Sequence, residues 1–267
     1  MKLDFIASQL RRTNRNLSIL TVSALGLSIY LIMSGGINAL EQMISEISED
    51  ASLMGIISSF FEHSGRVFLF IIGLIILRFG VVNSVKLTKQ MFNIELHPIY
   101  KAVSLYGYFD EVAQYINDDL VKHGTKKYTS AYITEHWILQ STALKLNVLK
   151  IEDVVWAYQA VIKHKQVFVG PGLSVGPSEV AKTYSAVIHS RNPMVPEVRI
   201  STTHQLDLTE DIEGNAQEAK QKREYVLNIL EELEQKHPRA IYGYTSDLEE
   251  MWSSDRASFI KSAGFGA

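Results

Sequence analysis

YTSAYITEHWILQSTALKLNVLKIEDVVWAY, residues 128–158, is the stretch whose reading decides the fold. Its runs YTSAYIT, HWILQSTA and NVLKI are short and rich in β-branched and aromatic residues, the composition of strands. DVVWAYQAVIKH continues in the same manner, with Val154, Trp156 and Tyr158 expected on one face and Val155 and Val161 off it. QVFVG, the loop GPGLSVGPSE, TYSAVIHS and PEVRIST follow, the last two parted by Asn192-Pro193. That makes about seven strands in roughly 75 residues, a spacing that suggests a sandwich or small barrel.

Outward from this block the period changes. Downstream, Tyr225, Ile229 and Leu233, with Val226 and Leu230 beside them, form the apolar stripe of a helix ending before Pro238. A short strand-like IYGY and a helix near SDLEEMW follow, and Trp252 and Phe259 are expected to pin this tail to the core. Upstream, His97-Pro98 opens one helical stretch and Gly107 breaks it. EVAQYINDDLVKH makes a second helix with Asp110 as its expected N-cap, Gly124 at its end, and Val112, Tyr115, Ile116 and Leu120 on one face.

The first third is different in kind. LSILTVSALGLSIYLIM, residues 17–33, has no charge, and VFLFIIGLIILRFGVVNSV, residues 67–85, is interrupted only by Arg78. Each approaches the ~20 residues that span a hydrocarbon core. The first is read as a retained anchor, because its apolar run is long and no small-x-small cleavage site follows. Gly35-Gly36 is expected to end or bend it. Lys2, Arg11, Arg12 and Arg15 precede the first span and Lys86 and Lys89 follow the second, whereas Glu41, Glu46, Glu49, Asp50 and Glu62 lie between them with Arg66. The positive-inside rule then puts both termini in the cytoplasm. Arg78 is read as snorkelling at the cytosolic end, a membrane-interface marker, in preference to an ion pathway. In the connection, Ile37, Leu40, Met43, Ile44 and Ile47 recur at helical spacing, and LMGIISSFF follows; both are expected to be short amphipathic helices at the outer interface.

The order of elements, with the strands of 128–158, an acidic step at Ile151-Glu152-Asp153 and a following strand bearing Trp or Tyr, resembles a pleckstrin-homology-like fold. The whole chain also resembles uncharacterised bacterial two-span membrane proteins with such a cytosolic domain. The resemblance implies an α+β chain in the bacterial inner membrane: two transmembrane helices, a helical linker pair, and a β-barrel closed by a C-terminal helix. The expected parts are a cytosolic N-terminus (1–16), transmembrane helix 1 (17–35), an outer hairpin (36–66), transmembrane helix 2 (67–85), a helical linker (86–124), the pleckstrin-homology-like domain (125–238) and a tail packing on it (239–267). It implies binding or scaffolding roles rather than catalysis, although fold alone does not give function.

Candidate chemistry is sparse. The chain has no cysteine, which excludes disulfides, thiolate zinc sites and a cysteine nucleophile, and a net charge of −3 gives no general reason to expect nucleic acid. The eight histidines have no metal-binding spacing, GPGLSVGPSE lacks the Gly-Lys-Ser/Thr of a P-loop, and no G-x-S-x-G elbow occurs. No cofactor, metal or catalytic residue is expected. Lys126, Lys127, Lys145, Lys150, Lys163 and Lys165 fall near strand ends and are the candidate contacts for an anionic lipid headgroup, against a background of ordinary surface lysines. The expected partners are the bilayer, an anionic lipid, and a protein partner or second copy. The reading is a membrane-anchored binding, scaffolding or signal-relay protein. Its rivals are an enzyme with a site around Trp156, Tyr158 and His164, and a subunit of a transporter or larger assembly.

Overall fold

The computed structural model describes residues 4–49, 53–122, 124–167, 177–202 and 216–265. The loop tip Leu173-Ser174-Val175 lies outside them, as do the side chains of Lys163, His164 and Lys165. The chain is mixed α+β and divides into two compact units, one of Ala7–Lys101 and one of Ala102–Ala267 with the first six residues.

The first unit is helical. Helix α1 (Phe5–Leu31) starts well before the apolar run, since nothing between the arginines and Leu17 breaks a helix. Gly35-Gly36 does not end the helical path. A π-helical turn at Ile32–Gly36 carries it into α2 (Ile37–Glu49). LMGIISSFF is likewise not a separate helix. It forms the first turns of α3 (Leu53–Phe92), whose 40 residues measure about 60 Å. Both α1 and α3 contain a stretch long and apolar enough to cross a membrane. They run antiparallel with little space between them. A Cβ on Gly80 would stand 2.8 Å from Leu25 Cδ2, and one on Gly73 would stand 3.0 Å from Ile32 Cγ1.

In the second unit, α5 (Phe109–Leu120) follows α4 (Pro98–Ser104) across Gly107, whose φ of 142° suits glycine. Asp110 sits in the first turn of α5 and not at its N-cap, which is Tyr108. Four strands then form an antiparallel meander: β1 (Lys126–Lys127), β2 (Ala131–Ile133), β3 (Trp137–Ser141) and β4 (Leu146–Lys150). A second sheet has the order β7-β6-β5-β8, from β5 (Val154–Val167), β6 (Pro177–Ser190), β7 (Glu197–Ser201) and β8 (Ile241–Tyr242). β8 runs parallel to β5, and Gly243 (φ 101°) ends it by donating to Ala157 O.

The sheets do not close into the expected barrel. Between β4 and β5 the chain makes a 3-10 turn, Ile151–Asp153, whose backbone groups bond to His136 and Arg191 rather than continuing either ladder. The sheets instead share a core. Ile133, Ile138 and Leu149 from the first meet Val154, Ala157, Ile188 and Ile200 from the second, and Val226, Ile229 and Leu233 of α6 (Ala216–Lys236) complete it. Gln140 Nε2 ties the sheets by donating to Arg199 O at 2.5 Å.

The expected facing of β5 is corrected by a bulge between Val154 and Trp156. The bulge reverses the alternation. Val154 and Ala157 therefore enter the main core, while Val155 and Trp156 turn to the other side with Tyr158. There the tail closes over them: α7 (Ser246–Ser254) brings Trp252, and α8 (Arg256–Ile260) brings Phe259, with ring centroids 6.4 and 5.8 Å from Trp156. Trp156 Nε1 donates to Gly243 O at 2.7 Å, so this buried indole leaves no polar group unpaired. Phe259 is 1% exposed. Truncating it to Ala should cost about 3–5 kcal/mol. Chemical denaturation followed by tryptophan near-UV dichroism measures this, and a loss below about 1 kcal/mol would show that the tail does not share the cooperative core.

Candidate functional site

Asp119 organises the best-defined polar site. It lies on the apolar face of α5 with Val112 and Ile116 and has no solvent exposure. One oxygen, Oδ2, accepts from Thr134 Oγ1 at 2.5 Å and from His136 N at 3.0 Å. The other, Oδ1, accepts from Lys122 Nζ at 3.0 Å and faces His136 Nδ1 at 3.2 Å. Burial pushes this carboxyl upward, but the bonds from Thr134, Lys122 and His136 outweigh it and bring it down to about 2. Thr134 is fixed in turn, because its Oγ1 accepts from Trp137 N at 2.9 Å. The carboxylate therefore holds the turn between β2 and β3.

A cleft of about 290 Å³ opens beside this turn, lined by Tyr115, Glu135, His136, Lys150, Glu152 and His237, with Ile151 and Lys236. His136 is an exposed group beside Asp119, and Tyr115 lies against its ring at 5.3 Å. Lys150 Nζ bonds Glu152 at 3.1 Å and stands over the rings of Tyr106 and Trp137 at 5.5 and 5.7 Å. Lys236 Nζ donates to Thr134 O and to Glu232 Oε1, both at 2.7 Å, which couples the end of α6 to the same turn. His237 Nε2 donates to Val154 O at 3.1 Å, and burial lowers its pKa.

With Nδ1 directed at a buried carboxylate, His136 keeps Nε2 for the cleft, the orientation of a general base. No serine or threonine hydroxyl lines the cleft among the described residues. Lys150, Lys236, Glu135 and Glu152 give the cleft groups that can pair with a charged ligand. Asp119, Glu135 and His136 also place one potential ligand atom each within 4.8 Å of the others. Lys122 Nζ supplies the positive charge there, 3.0 Å from Asp119 and 3.4 Å from Glu135 Oε2.

The six candidate lysines are not gathered at one place. Lys150 lines the cleft, but Lys145 is at the opposite end of β4, in the exposed β3–β4 turn. Lys126 pairs with Glu232 at 3.3 Å in a groove of about 400 Å³ beside α6, and Lys127 stands over Tyr132 at 5.7 Å. Lys163 and Lys165 lie far along β5, opposite Lys182 and Glu179. Of the residues suggested for an enzyme, Trp156 is fully buried and Tyr158 is packed beside it. Arg78 is exposed on α3, twelve residues after Arg66 and eight before Lys86. The Gly80–Leu25 contact puts it level with about Leu27, within the charge-free part of α1.

Sequence reasoning did not single out Asp119, Glu135, His136 or His237. One signal was present: Asp119 follows Val112 by seven residues and Ile116 by three, which places an acid on the apolar face of a helix. Comparison with protein-family models, with curated proteins and with solved structures gave no match to the chain.

His189 is another buried titratable group. It stacks on Trp156 at 4.9 Å and Trp252 at 4.7 Å, and Glu197 at 3.8 Å is too far to bond its Nδ1. Burial lowers its pKa to about 4, partly opposed by Glu197. Acid should therefore destabilise the unit in two stages. As pH falls from about 6.5 to 4 the unfolded chain takes up a proton that folded His189 refuses, a loss of about 3 kcal/mol. As pH falls from about 4 to 2 the stabilisation held by ionised Asp119, about 2 kcal/mol, is lost as well. Apparent Tm measured from pH 7 to 2 should show both declines, the first reduced in His189→Phe and the second flattened in Asp119→Asn. A wild-type Tm unchanged from pH 6.5 to 4 would contradict the His189 assignment.

Proposed function

We propose that the chain is a membrane-anchored binding protein, a scaffold or signal relay, whose second unit engages a protein partner on the cytoplasmic side of a bacterial inner membrane. The observation that carries this reading is an uncovered apolar helical hairpin in a chain whose cleft beside Asp119 offers charges of both signs. Ile19, Val22, Tyr30, Phe68 and Ile75 on α1 and α3 are 58–69% exposed, which water would penalise and lipid would cover. The basic residues flanking the spans and the acidic residues between them favour cytoplasmic termini.

The second unit is read as pleckstrin-homology-like. The support is its element order: a four-stranded meander, three further antiparallel strands and a single long helix packed on both sheets.

The absence of cysteine makes orientation directly testable. In intact cells a membrane-impermeant maleimide should label Glu46→Cys but should label Lys145→Cys only after permeabilisation. The reverse pattern would overturn the orientation. For the partner, a photocrosslinking amino acid at Tyr115 should give a defined protein adduct in native membranes, and Lys150→Glu should reduce it. Adducts unaffected by Lys150→Glu would exclude the cleft as the contact.

A further inference from the structure

The first unit contains a groove of about 320 Å³ near the C-terminal end of α3, lined by Val82, Val85, Lys86, Lys89, Gln90 and Leu96. Val82, Val85, Lys86 and Lys89 follow the i, i+3, i+4, i+7 spacing and so share one helix face. Along that face the surface changes from apolar to basic within two turns. The opposite wall comes from the chain folding back after α3: Leu96 N bonds Asn93 O and His97 N bonds Ile94 O, which sets Leu96 against the helix. Gln90 is 6% exposed and forms part of the floor. Next to the groove, Met91 and Phe92 are 71% and 89% exposed, a ledge of apolar side chains immediately beside two lysines.

Each part of this arrangement fits one kind of occupant. The apolar walls at Val82 and Val85 suit an acyl chain. The two ammonium groups at the rim suit a phosphate, since lysines at a membrane surface attract anionic headgroups. Met91 and Phe92 suit the boundary between headgroups and acyl chains, where an exposed apolar face is stable. A free phosphate would satisfy the lysines but leave the apolar walls unfilled. We infer that this groove binds one anionic phospholipid, with its phosphate between Lys86 and Lys89 and an acyl chain along Val82 and Val85. The inference rests on the membrane reading above and names a ligand site distinct from the lysines of the second unit.

The test uses the full chain, purified in mild detergent and titrated with phosphatidylglycerol or phosphatidylcholine, with bound lipid counted by native mass spectrometry. The expected result is a step at one phosphatidylglycerol per chain, with preference over phosphatidylcholine. Replacing Lys86 and Lys89 by Gln should weaken it about fivefold per lysine. Val85→Trp, which fills the groove and keeps both lysines, should also remove the step, whereas Lys220→Gln, at an exposed lysine of α6, should leave it unchanged. Equal binding of the two lipids, graded uptake without a step, or preference retained in the double lysine variant would overturn the site. Displacement of the lipid by millimolar inorganic phosphate would assign the lysines to free phosphate and also overturn it. Resistance of the chain to carbonate extraction from native membranes is scored separately. An extractable chain would sink the membrane reading and the site together, whereas an integral chain without lipid preference would sink the site alone.

Discussion

A carboxylate without solvent exposure loses its hydration and must recover that energy from donors held in place around it. Asp119 does so with donors from two elements: Lys122 just beyond its own helix, and Thr134 and His136 in the turn between β2 and β3. The consequences spread outward from that turn. Thr134 fixes Trp137, the first residue of β3, and β3 sets the register of β4. Tyr106 and Tyr115 then pack edge-on against Trp137 at 5.1 and 6.0 Å. Lys236 reaches the same turn from α6. Helix α5, the first sheet and the closing helix are thus held by one charge and the groups that answer it, and the cleft is the open side of that arrangement.

The second organising element is β5, which is buried on both faces near its start. A regular strand would send Val154 and Trp156 to the same side. The bulge lets consecutive residues serve two cores, with Val154 and Ala157 facing α6 and Val155 and Trp156 facing the tail. Arg256 reinforces the second contact: it donates to Ser190 O at 2.6 Å and stacks on Trp252 at 5.1 Å. The tail is therefore part of the second unit's folded structure.

Much of this could be read from residue pattern alone. The stripe Val226, Ile229 and Leu233 specifies α6, and the β-branched and aromatic runs specify β3 and β4, because those signals are local. The bulge in β5 was hidden because one inserted residue reverses facing without changing composition. IYGY was legible as a short strand, β8, but its parallel pairing was hidden because its partner lies more than eighty residues away. The continuity of α3 through 53–66 was missed because the charges at Glu62 and Arg66 resemble a boundary, although neither breaks a helix. The candidate site was the least legible part. Scattered histidines and acids have no readable spacing when a turn and a helix bring them together, and only the misplaced acid on α5 pointed toward it.

The β5–β6 hairpin has one more consequence. Each strand has fourteen residues, about 46 Å, yet β7 accompanies only Ser185–His189 and β8 only Trp156–Ala157. Beyond them, among the described residues, Lys163–Val167 and Pro177–Lys182 pair only with each other. Among the described residues both backbone edges of this ribbon are without a partner strand, a template for pairing with another chain. Its sequence opposes that outcome. Lys163 stands directly across from Lys182, Lys165 follows two residues on, and Pro177 withholds an amide at the start of β6. Lysine and proline at such register positions are the residue types that disfavour pairing of a strand edge with another chain.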